Sequence, residues 1–267
     1  MRRYVLNKPI TILGRGAFGG NANLTLEPVD KLGIFWNING MDVPLGKTRI
    51  VAHPRLHYLA LLSGKNILRV PEHLLGFLYA SGIDGVSTHS KRLPYDGCAQ
   101  EFYEQVFCSD DLRLKDHFDC YTTNESVGVP AANGRMLEFK PSNNPCTLTY
   151  DIEIQYQGIG MYTLCGDLFP EDLEKLASSR PFGRTHLKLL SRLLGRTNQY
   201  VWLGEVGSRG LEEIAYHRLL DLLGALIHAT PPGGRLVGNI ISPPFAGHRT
   251  DILLLHELHR VGLRKVD

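Results

Sequence analysis

The chain has 267 residues, of which 43% are hydrophobic, and its formal net charge is +2 at pH 7. This length is enough for one large domain or for two smaller ones, each with a core of its own. Lys and Arg form no long run, so the charge pattern favours neither a nucleic acid nor a membrane surface as a partner.

The cysteines and the absence of long apolar runs point to a protein of a reducing compartment. The five cysteines are odd in number and scattered, and no CxxC motif joins any two of them. No apolar segment near the start resembles a signal peptide, and no run of about 18 apolar residues could span a membrane. We therefore expect a cytoplasmic monomer without a membrane span. The cysteines are Cys98, Cys108, Cys120, Cys146 and Cys165.

The first stretch of the chain predicts β structure. Residues 4–13 form an apolar strand pattern that ends in the glycine-rich GRGAFGG, after which Leu24 and Leu26 alternate with polar neighbours. The glycine-rich segment lacks the lysine and the following helix of a phosphate-binding loop. We therefore interpret it as a turn that connects two strands.

A helix is predicted between Pro71 and Gly82, because the apolar residues of EHLLGFLYAS recur at helical spacing and the two flanking residues suit helix ends. Glu72 and His73 then lie in its first turn. Considered alone, a glutamate there is a partner for the helix dipole and the histidine beside it is a surface residue.

The middle of the chain contains the predicted boundary between two halves. A turn at Asp96-Gly97 and a short helix with Phe102 and Val106 precede residues 108–134, which are polar and which we interpret as irregular. A second set of strands follows. Because strands followed by helices occur twice, we predict an α+β fold of two similar halves, residues 1–122 and 123–267.

Three helices are predicted in the second half besides the one described next. One begins after Pro170, a short one covers residues 185–194, and the last begins at about Arg249. The last helix contains HELH, but His256 and His259 lack the four-residue spacing of the HExxH metal motif. We interpret both histidines as structural or surface residues.

The segment 211–228, LEEIAYHRLLDLLGALIH, has the apolar recurrence of a largely buried helix. His217 and Asp221 are four residues apart, so their side chains project from the same face, one turn apart. An imidazole and a carboxylate suit Zn²⁺ or Fe²⁺, although a plain hydrogen bond between the two is the simpler interpretation. A metal site needs a third ligand from elsewhere in the chain.

Five motifs occur along the chain in a fixed order: EHLLGFLYASGID, PYDG, LEFKP, HRLLD and AGH. Together they resemble the zinc-dependent deacetylase family of lipid A biosynthesis, which hydrolyses UDP-3-O-acyl-N-acetylglucosamine. The likeness extends from the GxG turn and LTLEP near the start to the helix after His248. It implies two α+β halves, each a sheet packed against helices, with the zinc between them.

The resemblance also implies the roles of five residues. Zinc would be held by His73, His217 and Asp221, with a water in the open fourth position that is typical of catalytic sites. Glu72 would be the general base for that water. His248 would stabilise the oxyanion and protonate the leaving amine. The reaction implied is metal-assisted hydrolysis of an acetamide.

Three further residues match positions that contact the substrate in the family. Phe182 corresponds to an aromatic residue near the substrate, and Lys140 to a basic residue at the nucleotide end. Arg218 replaces a lysine that is expected to face the nucleotide phosphates, which keeps the charge but changes the donor geometry. The substrate implied is a small sugar nucleotide or an acylated sugar.

The chain departs from the family pattern at the site itself. Pro181 stands where the family has a threonine that helps to hold the oxyanion, and Ala225 stands where it has an aspartate that orients the catalytic histidine. Phe18 replaces a histidine of the early glycine-rich turn. The segment between residues 182 and 217, which forms the acyl-chain passage in the family, is shorter here. Two hypotheses therefore remain: a zinc amidohydrolase with a retuned site, or a homologue that binds zinc and a sugar nucleotide without useful turnover.

Overall fold

The computed structural model describes residues 2–16, 20–53, 58–94, 98–142, 147–156, 160–168, 170–183, 192, 200–202 and 209–266. Within these residues the protein is α+β, as predicted, with several sheets packed against a few helices. No helix in this described part of the chain combines the length and the apolar character that crossing a bilayer requires.

A five-stranded sheet forms the first half. Its strand order is β2-β3-β9-β4-β5, in which β9 runs antiparallel to β3 and parallel to β4. A smaller antiparallel sheet, β6-β7-β8, accompanies it. The strands are β1 (Arg2–Leu6), β2 (Ile10–Arg15), β3 (Asn21–Pro28), β4 (Ile34–Ile38), β5 (Met41–Pro44), β6 (Arg49–Ala52), β7 (Leu59–Ser63), β8 (Asn66–Arg69) and β9 (Val86–Arg92).

The glycine-rich segment connects β2 and β3, which form an antiparallel hairpin whose last pair is Arg15 with Asn21. This confirms the turn interpretation. Phe18 lies outside the described residues.

Helix α1 (Glu72–Ser81) joins β8 to β9 and has the predicted bounds. Pro71 is its N-cap, and Gly82 ends it in the left-handed conformation, at φ 71°, which glycine adopts without steric cost. Every residue of the helix except Ala80 is buried. The helix therefore lies inside the protein, and the interpretation of His73 as a surface residue is wrong.

The segment predicted to be irregular, residues 108–134, contains three strands: β10 (Leu112–His117), β11 (Asp119–Thr122) and β12 (Val127–Pro130). β10 pairs with β1 at the surface, and five of its six side chains are exposed. Its sequence, LRLKDH, alternates leucine with a charged residue over only four positions, which is too short a pattern to stand out in a polar segment. The division at residues 122 and 123 stays a prediction.

The second half repeats the arrangement of the first. Its five-stranded sheet has the order β12-β13-β19-β14-β15, and β19 runs antiparallel to β13 and parallel to β14. β11 is the centre of a three-stranded sheet with β18 and β20, and β16 pairs with β17. The remaining strands are β13 (Met136–Pro141), β14 (Leu148–Tyr156), β15 (Gly160–Asp167), β16 (Phe182–Gly183), β17 (Val201–Trp202), β18 (Gly234–Leu236), β19 (Gly238–Ser242) and β20 (Arg264–Val266).

Four more helices follow α1 among the residues that the structure describes. α2 (Gln100–Phe102) continues into a π-helical turn at Tyr103–Phe107, and α3 (Leu173–Ser178) follows a 3-10 turn at Pro170–Asp172. α4 (Arg209–Leu226) is the long helix predicted around His217, and α5 (His248–Val261) is the predicted C-terminal helix. Nearly all of the short helix predicted at residues 185–194 lies outside the described residues.

Two glycines allow α1 and α4 to touch backbone to backbone. A Cβ atom on Gly76 would lie 2.2 Å from the carbonyl oxygen of Leu220, and one on Gly224 would lie 2.4 Å from that of Glu72. Neither distance leaves room for a side chain. The crossing therefore brings the first turn of α1 directly against the middle of α4, where His217 and Asp221 lie.

Candidate metal centre

His73, His217 and Asp221 converge where α1 crosses α4. Their ligand atoms all lie within 4.8 Å of one another, and theirs is the one such group in the described part of the chain. Nε2 of His73 is 3.4 Å from Oδ1 of Asp221, and Nε2 of His217 is 3.8 Å from Oδ2. The three ligand atoms are therefore close enough to one another to surround a common point.

The tautomer of His217 leaves a lone pair directed at that point. Burial lowers the pKa of His217 to about 4, so its ring is neutral at pH 7. Nδ1 lies 3.0 Å from the carbonyl oxygen of Ser179 and donates its hydrogen there. Nε2 is then unprotonated and faces Asp221, which is the arrangement that orients histidine ligands in metal sites.

Asp221 supplies the negative charge of the cluster. Burial works to raise the pKa of Asp221, but the surrounding histidines, among them His73 with its Nε2 3.4 Å from Oδ1, outweigh it and hold that pKa below its usual range. The carboxylate is therefore ionised at neutral pH, as a metal ligand must be.

The donor set fits a divalent ion such as zinc. A tetrahedral ion that is about 2.0–2.2 Å from each ligand requires ligand atoms about 3.4 Å apart. The separations of 3.4 and 3.8 Å are close to this value. Two imidazoles and one carboxylate suit Zn²⁺ and also Fe²⁺, and three protein ligands leave a fourth position for a substrate or water.

Glu72 lies next to this cluster. Its side chain is 3% exposed, and Oε2 accepts a hydrogen bond of 3.1 Å from the backbone N–H of Leu59, the first residue of β7. Burial raises the pKa of Glu72, which makes its carboxylate a stronger base than an exposed one. Its fixed position and raised basicity suit proton transfer.

His248 completes the group from a third helix. It is the first residue of α5, directly after the N-cap Gly247. Its Nε2 lies 3.7 Å from Oδ2 of Asp221 and 4.0 Å from Oε1 of Glu72. The five residues that resemblance assigns to the metal and to catalysis therefore come together from α1, α4 and α5.

Arg218 lies behind the cluster, with both terminal nitrogens bonded to Asp251 of α5. Nη1 is 2.9 Å from Oδ2 and Nη2 is 2.5 Å from Oδ1, and both side chains are almost fully buried. The predicted contact of Arg218 with nucleotide phosphates would require the guanidinium to leave this pair. Asp251 was not predicted, since an acidic residue in the first turn of a helix is common.

The two other predicted substrate residues lie on exposed surfaces. Lys140 of β13 has its Nζ 3.5 Å from Oε2 of Glu138. Phe182 of β16 is 38% exposed and packs edge to face on Tyr156, with ring centroids 4.7 Å apart. Their contacts with a substrate stay predictions.

The two departures from the family pattern that lie within the described residues occupy different environments. Pro181 is partly buried, two residues after Ser179, whose carbonyl binds His217. Ala225 is fully buried on α4. Neither can supply a polar group to the site, because the side chain of proline and that of alanine contain no donor or acceptor.

This geometry is that of a candidate metal-dependent hydrolase, because an open ligand position adjoins a carboxylate of raised pKa. A family model described as LpxC, UDP-3-O-acyl N-acetylglycosamine deacetylase, matches residues 3–260. That match covers nearly the whole chain, which therefore belongs to this family of deacetylases, as the five motifs predicted. A search of curated proteins finds no relative that matches.

Proposed function

We propose that the chain is a zinc-dependent deacetylase that removes the N-acetyl group from an acylated UDP-N-acetylglucosamine or a related N-acetyl sugar. The observation that carries the proposal is the meeting of His73, His217 and Asp221 with Glu72 and His248 in a member of this family. Fe²⁺ is compatible with the same ligands.

His73, His217 and Asp221 would hold the ion. When bound, zinc supplies a Lewis acid for the acetyl carbonyl and lowers the pKa of a nearby water. Glu72 takes the proton from the attacking water, and the hydrogen bond from Leu59 N–H to Oε2 keeps the carboxylate in place. His248, whose Nε2 lies near both Glu72 and Asp221, gives a proton to the departing amine. The products are acetate and a free amine.

The remaining predicted residues would contact the ends of the substrate. We propose that Lys140 binds near the nucleotide and that Phe182 lies near the substrate, with the site between the halves 1–122 and 123–267. Arg218 carries a charge of the right sign for a phosphate, but its pair with Asp251 competes with that role. A cytoplasmic, monomeric protein is expected, because an odd number of scattered cysteines without a CxxC motif favours a reducing compartment.

A second function is favoured by Pro181 and Ala225. Loss of one oxyanion donor typically reduces the rate by about 10²–10³-fold. A protein that has lost both polar groups could bind zinc and a sugar nucleotide without useful turnover. Intact Glu72 and His248 support the enzyme instead, since a binding protein needs no base beside an open metal position.

The experiment is the release of free amine from UDP-3-O-acyl-N-acetylglucosamine by the zinc-loaded protein. We expect turnover by the parent and a loss of about 10²–10⁴-fold in Glu72→Gln, which keeps the acceptor for Leu59 N–H but removes the base. Zinc content should be equal in both proteins. Equal rates in the two would refute the role of Glu72, and a zinc-replete parent with no activity would favour the binding protein.

A further inference from the structure

We propose that Asp251 is a positioning residue for His248 and that Arg218 holds Asp251 in place. The inference rests on the proposed deacetylation, because it assigns the orientation of the proton donor in that reaction. Asp251 lies on the Nδ1 side of the His248 ring, away from the metal ligands.

The two ring nitrogens of His248 face different groups. Nε2 is directed at the carboxylates of Glu72 and Asp221, where the reaction takes place. Nδ1 is buried and has no hydrogen-bond partner among the described residues, and it faces Oδ2 of Asp251 at 3.9 Å. An approach of about 1 Å would make this a normal hydrogen bond. A proton on Nδ1 fixes which nitrogen is left to exchange protons with the substrate.

Asp251 is placed to receive that hydrogen bond. Its side chain is fully buried in the first turn of α5, one turn after His248. Two hydrogen bonds from Arg218 hold both of its oxygens, so its position does not depend on contact with His248. The arginine also neutralises a charge that would otherwise be costly to bury.

Asp251 thereby occupies the role left open by Ala225. The resemblance assigns the orienting carboxylate to that position of α4, where alanine offers none. In this chain a carboxylate reaches the same histidine from α5, and the arginine that holds it comes from α4. The alternative is that the Arg218–Asp251 pair only joins two helices.

The test removes the buried pair without leaving a lone charge. Arg218→Met/Asp251→Leu replaces both partners by apolar side chains of similar size, which buried pairs often tolerate. We expect kcat to fall by about 10–100-fold, the usual effect of a residue behind a catalytic group, with KM and zinc content unchanged. Glu257→Gln/Arg260→Met removes a surface pair of the same helix and should leave kcat as in the parent.

A double-mutant cycle separates positioning from general stability. In a His248→Ala background, Arg218→Met/Asp251→Leu should reduce kcat by less than about twofold, because residues that act as a unit are not additive. An equal loss in both backgrounds would overturn the proposal. A rise in KM with unchanged kcat would also overturn it and would place Arg218 at the nucleotide.

A second measurement does not depend on turnover. In the zinc-loaded parent, the ring ¹H–¹⁵N spectrum should show a proton on Nδ1 of His248, assigned by its loss in His248→Ala. This signal should move or vanish in Arg218→Met/Asp251→Leu. An unchanged signal contradicts the proposal. If only the deacetylase assay failed, that result would count against the proposed function. The ring spectrum of His248 would still decide whether Asp251 positions it.

Discussion

At the scale of single residues, burial prepares the site by acting in opposite directions on two kinds of group. It raises the pKa of the Glu72 carboxyl and lowers the pKa of the His217 ring to about 4. A carboxylate becomes a better base, and an imidazole stays neutral and able to bind a metal. The same buried crossing of helices therefore makes a base and a ligand from neighbouring residues.

Removing one metal ligand should release the ion. We expect His73→Ala, His217→Ala and Asp221→Ala to weaken zinc binding by more than the roughly 10–100-fold that follows from changes behind a ligand. Zinc per chain after gel filtration, measured by atomic absorption, checks this. The control is His89→Ala, which breaks a surface pair of an imidazole and a carboxylate, 3.0 Å from Glu27. Full zinc occupancy in His217→Ala would contradict the ligand assignment.

The sequence predicts some of these residues better than others. The four-residue spacing of His217 and Asp221 puts them on one face of a helix, and the structure agrees. His73 is far away in the chain, and only the family resemblance joins it to them. Asp251 was missed because an acidic residue in the first turn of a helix is common, and neither its burial nor its pair with Arg218 of α4 follows from the spacing within α5.

At the scale of elements, the site depends on how closely α1 and α4 cross. Gly76 and Gly224 provide this contact, and each faces a backbone carbonyl of the other helix. Helix propensity would favour alanine at both positions by about 1 kcal/mol. Glycine at these two positions therefore lets the two helices approach closely, and that approach sets the distance between His73 and Asp221.

A methyl group at the crossing should push the helices apart. We expect Gly76→Ala and Gly224→Ala to lower the free energy of unfolding by about 1–3 kcal/mol, despite the better propensity of alanine, and to weaken zinc binding. Urea denaturation and zinc content measure the two effects. Gly46→Ala is the matched control, since a Cβ atom there meets nothing within 4 Å. Wild-type stability in both crossing variants would show that the helices can adjust.

The elements themselves were predicted unequally. The existence of α1, α4 and α5 follows from the sequence, and the bounds of α1 follow from Pro71 and Gly82 at its ends. The strands β10 to β12 could not be predicted in this way, because their pairing depends on partners elsewhere in the chain, such as β1 for β10. Sequence patterns report burial, so a strand that buries little leaves little pattern.

At the scale of the whole molecule, the two five-stranded sheets repeat one arrangement of strands, and the polar residues of the candidate site are buried or nearly buried on α1, α4 and α5. A buried histidine whose pKa is lowered also makes the stability of the fold depend on pH. His228, just after α4, is such a group outside the metal cluster. Its ring is buried, neither nitrogen has a hydrogen-bond partner among the described residues, and its backbone oxygen accepts a hydrogen bond from His259.

Acid should therefore destabilise the protein through His228. Burial lowers its pKa to about 4, whereas the unfolded chain takes up a proton near pH 6.5. Between these values the unfolded state binds more protons, so the free energy of unfolding falls as the pH drops from about 6.5 to 4, by up to about 3 kcal/mol for this group. Above pH 6.5 the group makes no difference.

Urea denaturation at pH 7, 6, 5 and 4.5 measures this dependence. His228→Leu removes the titrating ring and should lose less stability than the parent on acidification, because leucine takes up no proton in the unfolded state. His256→Gln, at an exposed position of α5, should keep the slope of the parent. The ring of His217 is lowered in the same way, so part of the slope should persist in His228→Leu. Identical slopes in His228→Leu and the parent would show that the ring of His228 reaches solvent when it is protonated.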